Sequence, residues 1–241
     1  MNDGATASVR GFATRAQLYD ALSGEIGALI GAAVAARGRA TLAVPGGSTP
    51  QPLFERLRDL ELPWSAVWVT LTDERWIDPR EASSNERQLR EQLIRGRASR
   101  ASVVGLKTDD EDPTEALATC AARLERLGGP LDAVVLGMGE DGHVASLFPG
   151  AVDPAVALDP RAPARCVAVT PPATAVAPAN RRLSLTLAAL VDTRRLFLIA
   201  TGEAKRGLID RALAHDPTIA DRPVAAVLSQ SVTRVDVWWA P

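Results

Sequence analysis

The chain has 241 residues, 46% of them apolar, with 27 basic and 29 acidic side chains and a formal net charge of -2. That length admits one large α/β domain or two small ones, and the apolar share is enough for a substantial core. Neither sign of charge is blocked along the sequence, which argues against a nucleic-acid surface but leaves room for a small anion held by a few local cations.

The N-terminal MNDGATASVRGFATR lacks the apolar centre of a signal peptide, and no apolar run reads as membrane-spanning, so a soluble cytoplasmic protein is expected. Apolar residues at Leu18, Leu22, Ile26, Leu29, Ile30 and Val34 predict a helix over Leu18 to Arg37. Thr41 to Val44 reads as a short strand, Pro45 to Ser48 as a tight loop, and Thr49 or Pro50 as the opening of a helix, with Ser or Thr suited to its cap. Val67 to Leu71 is a second strand that runs into TDERW, and a helix follows from about Asn85. ASVVGL is a further strand, DPTEALATCAARLERLGG a helix with a glycine stop, and LDAVVLG a buried strand. CVAVTPP is a strand, PPATAVAPAN (Pro171 to Asn180) a loop able to cover a site, and RLSLTLAALVD a helix or a strand–helix junction. RRLFLIATGEAKRGLIDRAL repeats the strand–loop–helix pattern before PVAAVLSQS and VDVWWAP close the chain. Short apolar strands alternating with helices predict a doubly wound, mainly parallel α/β sheet with helices on both faces, in a single domain over residues 1–241.

Cys120 and Cys166 are far apart in sequence, with no CxxC and no His/Cys cluster, so no metal is expected. A disulfide between them is allowed; two free buried thiols are the expectation for a reducing compartment.

In an open α/β sheet, ligands bind beyond the carboxyl ends of the strands, and four such ends carry chemistry here. PGGSTP offers backbone N–H groups, two hydroxyls and a helix start, which suits a phosphate; an ordinary glycine turn is the alternative. It is neither a Walker A loop nor a GxGxxG fingerprint. TDERW sets Asp73, Glu74 and Arg75 at a strand end, as a site or as a surface charge cluster. Asp141-Gly142-His143 follows a glycine turn, and a neutral imidazole there can take a proton from water or substrate; a hydrogen-bonded core histidine is the alternative. ATGEAKR places Lys205 in the first turn of a helix, where a lone lysine is usually solvated; Arg181 and Arg182, after the proline-rich loop, can complete an anionic pocket.

Taken together and in order, PGGSTP, TDERW, Ser84-Asn85, GMGEDGHVASLFPG, RLSLT and TGEAK resemble the glucosamine-6-phosphate isomerase/6-phosphogluconolactonase family over most of the chain. Arg75 after the DE pair and ASLFP after the histidine are similar to its lactonase branch, while Pro45 stands where serine is common. The resemblance implies hydrolysis of a phosphorylated sugar lactone in the oxidative pentose phosphate pathway, with no cofactor. It implies a catalytic set of His143, Asp141, Arg75 and Asp73. His143 would be the base that activates water, Asp141 would orient it or shape its loop, and Arg75 would meet developing charge or phosphate. It further implies substrate binding by Gly46, Gly47, Ser48, Thr49, Asn85, Arg182 and Lys205. Other readings stay open: an amino-sugar phosphate deaminase using Asp73 and His143, a non-catalytic sugar-phosphate sensor and, more weakly, a nucleotide-binding module. The sequence gives no oligomeric state.

Overall fold

The computed structural model describes residues 7–173 and 180–241. In chain order the strands are β1 (Ser8–Gly11), β2 (Ala40–Val44), β3 (Val67–Leu71), β4 (Asp73–Arg75), β5 (Ser102–Val104), β6 (Ala133–Gly137), β7 (Cys166–Val169), β8 (Arg182–Leu185), β9 (Leu196–Thr201) and β10 (Val235–Ala240). The helices are α1 (Arg15–Arg37), α2 (Gln51–Arg58), α3 (Asn85–Gln92), α4 (Leu117–Glu125), α5 (Pro154–Ala157), α6 (Leu187–Val191), α7 (Glu203–Leu213) and α8 (Pro223–Ser229).

Seven strands form one parallel sheet in the order β1-β10-β9-β6-β2-β3-β5. The near-continuous apolar runs of β2, β6 and β9 are what a strand buried on both faces requires, and these strands are buried almost throughout. From β2 the chain winds outward through β3 to β5, then returns to β6 and winds the other way through β9 to β10. With right-handed crossovers, this reversal sends the connecting helices to opposite faces and opens a crevice between β2 and β6. Both ends of α1 carry the expected stops: the Thr14 hydroxyl accepts from Gln17 N–H, and Gly38, at φ 74°, donates its N–H to Val34 C=O at 2.8 Å.

Several expectations need correction. Averaged over 18 residues, α1 is long and apolar enough to cross a membrane, contrary to the reading that no such run exists. Yet Leu18, Leu22, Ile26 and Ile30 are buried in the protein core, as befits the core helix of a globular fold. Ser8–Gly11, in a segment left without an element, adds an edge strand beside β10. The helix read over DPTEALATCAARLERLGG is confined to α4, because Asp112 binds the Thr114 N–H and hydroxyl and turns the chain before it. Neither Ser48 nor Thr49 caps α2; Pro50 stands at its N-cap without a side-chain bond. RLSLTLAALVD is a junction, strand β8 followed by α6 with Thr186 as its cap. The PPATAVAPAN loop falls mostly on residues 174–179, outside the described residues. Cys120 and Cys166 are buried and unbridged, and burial pushes their thiols up to about 11 and about 12.

The largest departure is a second sheet. DER, placed just past a strand end in the sequence, is itself strand β4, which pairs antiparallel with β8, and β8 with β7. Alternation along β4 turns Glu74 away from Asp73 and Arg75. Its carboxyl lies under the start of α3, accepting from the N–H groups of Asn85 at 2.8 Å and Glu86 at 2.7 Å and from the Ser84 hydroxyl at 3.2 Å. Burial pushes Glu74 up to about 7 against the pull of these N–H donors. A carboxamide at this position would set an NH2 against donors. Glu74→Gln should therefore lower unfolding free energy by about 1–3 kcal/mol in denaturant titrations; an unchanged midpoint would show that the buried carboxyl does not anchor α3.

Candidate active site

The segments after β2, β3, β6 and β9 converge on a cleft of about 520 Å³. The residues that line it include Gly46, Gly47, Ser48, Thr49, Asp73, Arg75, Asn85, Asp141, His143, Arg182 and Lys205. Arg181 does not, and His215, exposed at φ 54° beyond the end of α7, does not.

His143 is held from two sides. Its Nδ1 lies 2.6 Å from Asp141 Oδ1, and its own backbone N–H donates to the same oxygen at 3.1 Å. Burial works against the Asp141 carboxylate, but the bonds from the His143 ring and backbone outweigh it and hold its pKa below the ordinary value. Asp141 is therefore an acceptor, so the tautomer of a neutral ring that fits this contact carries its proton on Nδ1 and turns the lone pair of Nε2 outward. Phe148 packs on the imidazole with ring centroids 4.5 Å apart. Gly139 is a glycine for a steric reason: a Cβ there would lie 2.3 Å from the His143 ring. The loop is also clamped from behind, by Arg222 Nη1 on Asp141 C=O at 2.7 Å and by Val224 N–H on Gly142 C=O at 3.0 Å. Sequence reasoning missed Arg222, which lies about 80 residues further along the chain with no local signal.

The cations come from the second sheet and from α7. Register pairs Arg75 with Arg182 and Asp73 with Ser184, which puts all four on one face. Two arginines directly opposite each other repel, an arrangement that favours an anion between them. Arg75 donates to Ser83 C=O and Arg182 Nε to Asn180 C=O at 3.1 Å, so backbone carbonyls aim both side chains. Burial lowers the Arg182 pKa, with Asp73 opposing and Arg75 reinforcing the shift. Arg181, one residue earlier in the chain, pairs instead with Asp112 on the surface. Lys205 enters from the first turn of α7; burial lowers its pKa, Glu140 raises it and Arg15 lowers it further.

Asp73 is buried and accepts from Ser146 Oγ at 2.5 Å and Thr72 Oγ1 at 3.2 Å. Ser146 N–H in turn donates to Ser184 Oγ at 3.2 Å, tying the histidine loop to β8. Between them Ala145 takes φ 50°, a strained position for a residue with a Cβ. Ser146 was singled out only as part of a motif; its partner is set by a contact 73 residues away in sequence. Among the described residues, no group of three or more His, Cys, Asp or Glu side chains is placed to hold a metal ion.

What this site can do is take a proton at Nε2 beside an anion held by cations and backbone, with charge-bearing groups already in place. Comparison with known proteins identifies the family of the whole chain. A family model described as glucosamine-6-phosphate isomerases/6-phosphogluconolactonase matches residues 13–239. The chain is 39% identical to the 6-phosphogluconolactonase of Rhizobium meliloti over 98% of this chain and 100% of that protein. It is 41% identical to that of Caulobacter vibrioides over 95% of each. A crystal structure of a 6-phosphogluconolactonase from Shewanella baltica superposes with a TM-score of 0.85 at 38% identity, covering 98% of each chain. A monomeric glucosamine-6-phosphate deaminase at 18% identity, TM-score 0.78, shares the fold.

The Asp141 contact has a spectroscopic consequence. In 15N NMR the neutral form of the His143 ring should carry its proton on Nδ1 and not on Nε2. Asp141→Asn should weaken that bias; a neutral wild-type ring protonated at Nε2 would contradict the geometry.

Proposed function

We infer that this chain, which belongs to the glucosamine-6-phosphate isomerase/6-phosphogluconolactonase family, hydrolyses 6-phospho-D-glucono-1,5-lactone to 6-phosphogluconate. The reaction belongs to the oxidative pentose phosphate pathway, and a cytoplasmic location goes with it. The observation that carries the mechanism is the Asp141–His143 pair at 2.6 Å, facing a cleft that three cationic side chains enter.

A δ-lactone is an activated ester, so attack by water needs a positioned base and a partner for the developing oxyanion. His143 Nε2 takes a proton as water adds to the C1 carbonyl, and Asp141 stabilises the imidazolium that forms. The tetrahedral intermediate then collapses, the bond from C1 to the ring oxygen breaks, and the imidazolium returns its proton to that oxygen. The product carboxylic acid ionises in water. Arg75 faces the developing negative charge. Asp73 keeps Arg75 and Arg182 in a locally balanced field and fixes the histidine loop through Ser146. Ser48, Thr49, Lys205 and Arg182 hold the phosphate, with Asn85 and the two glycines forming the floor beneath it. Binding at the phosphate orients the far end of the sugar, so it contributes to turnover as well as affinity.

The test is acid release from freshly made 6-phosphogluconolactone with spontaneous hydrolysis subtracted. His143→Ala should lower kcat by about 10²–10⁴, the usual contribution of a positioned base, while His215→Ala should leave it unchanged. A folded His143→Ala enzyme with near-normal kcat would remove His143 as the base. Activity should survive EDTA; a loss that zinc or magnesium restores would require a metal step. Ammonia release from glucosamine 6-phosphate in place of lactone hydrolysis would move the chain to the other branch of the family.

Lys205→Ala provides a separate test of the phosphate assignment. It should reduce kcat/KM for the phosphorylated lactone by at least about tenfold, from the loss of one charge-assisted contact, and affect plain glucono-1,5-lactone far less. Equal effects on both lactones would mean that Lys205 does not read the phosphate.

A further inference from the structure

We propose that Gln88 is a positioning residue of the phosphate loop: by capturing one backbone N–H from behind, it sets which donors of Pro45–Pro50 face the ligand. The proposal deepens the phosphate reading above and rests on it. Gln88 Oε1 accepts the Gly47 N–H at 3.0 Å. Gln88 does not line the cleft, so the Gly47 N–H that suits an anion in the sequence is spent on α3 instead. Gly47 holds φ 90°, a conformation open to glycine, and this lets the peptide turn that way. The next two N–H groups, of Ser48 and Thr49, have no acceptor among the described residues, which leaves them among the loop's donors to an anion.

The helix addresses the loop at two successive residues. Asn85 and Gln88 are spaced i, i+3 on one face of α3. The Asn85 carboxamide packs against Gly46 so closely that a Cβ there would lie 2.1 Å from Oδ1. One turn later, Gln88 grips Gly47. Asn85 is itself fixed by Nδ2 donating to Asp73 C=O at 2.9 Å, and its backbone N–H is bound by Glu74. The same helix thus sets the spacing between the loop's N–H donors and the strand that carries Arg75. On the other side, Tyr19 Oη donates to Thr49 C=O at 2.7 Å, so the donors lie between two tethers. Without the Gln88 acceptor, the Gly47 peptide is free to rotate and the Ser48 and Thr49 N–H groups lose their set direction.

The test uses two uncharged variants. Gln88→Met keeps the length of the side chain but lacks a strong acceptor; Gln88→Asn keeps the amide but withdraws it from reach. Calorimetry with inorganic phosphate needs no turnover, and both variants should bind it about fivefold more weakly than wild type, the effect of about one net hydrogen bond. The ratio of kcat/KM for the phosphorylated lactone to that for plain glucono-1,5-lactone should fall by a similar factor. A purely structural role would lower both lactones together and leave the ratio unchanged. An unaltered or tighter phosphate affinity in either folded variant, or an unchanged ratio, overturns the proposal, as does a wild type that does not bind phosphate. A wild type that binds phosphate but does not hydrolyse the lactone would defeat the functional reading and leave the Gln88 assignment standing.

Discussion

The pairing of β2 with β6 is the constraint from which the site follows. These two strands are adjacent in the sheet yet far apart in sequence, and the chain leaves their carboxyl ends in opposite directions. No crossover helix can close over that point from both sides, so the loops after the two strands face each other across an open crevice. One loop brings the glycine-rich PGGSTP segment, the other brings His143. Their separation is fixed by a hydrogen-bonded register, Leu42 with Ala133 and Ala43 with Val134, in the most buried part of the sheet. Close-packed strands transmit little slack, so the two loops they carry keep a set distance.

Upon this frame the small antiparallel sheet adds charge. The protein carries a net -2, but the cleft gathers Arg75, Arg182 and Lys205 around one space. Bringing two arginines into register costs electrostatic energy in the empty site. That cost is moderated by the backbone carbonyls that receive them and by buried Asp73 beside them. Two cations set opposite each other are an arrangement that an anion would relieve, which is the physical ground for the phosphate assignment proposed above.

The side chains of the cleft are held by a surrounding set of tethers. Arg222 and α8 fix the backbone around Asp141, Ser146 and Ser184 join the histidine loop to β8, and Glu74 anchors the helix whose face supports the glycines. Such supports keep donors aimed before charge develops, which is the condition for electrostatic catalysis. The strained Ala145 sits where these tethers meet, and the bonds on either side of it hold it there.

The sequence by itself determined the parallel α/β architecture, because alternation of buried strands with helices is a local pattern. It also determined the chemical vocabulary of the site: glycines, hydroxyls, one histidine beside an aspartate, and basic residues at strand ends. Each of these lies within a few residues of the turn that exposes it, so spacing alone placed it. Pairings across the chain were decided only by tertiary structure. DER gives no strand signal because three residues carry no periodicity, and it becomes a strand only when RLSL lies alongside. That same pairing sends Arg182 into the cleft and leaves Arg181 outside, a choice of face that identical neighbouring side chains cannot reveal. Nor does the sequence say that Glu74 caps α3, that Gln88 takes the Gly47 N–H, or that Arg222 holds the Asp141 carbonyl. Their partners lie 11 to 81 residues away along the chain, and hydrogen bonds depend on distance and direction in space, which local pattern does not encode.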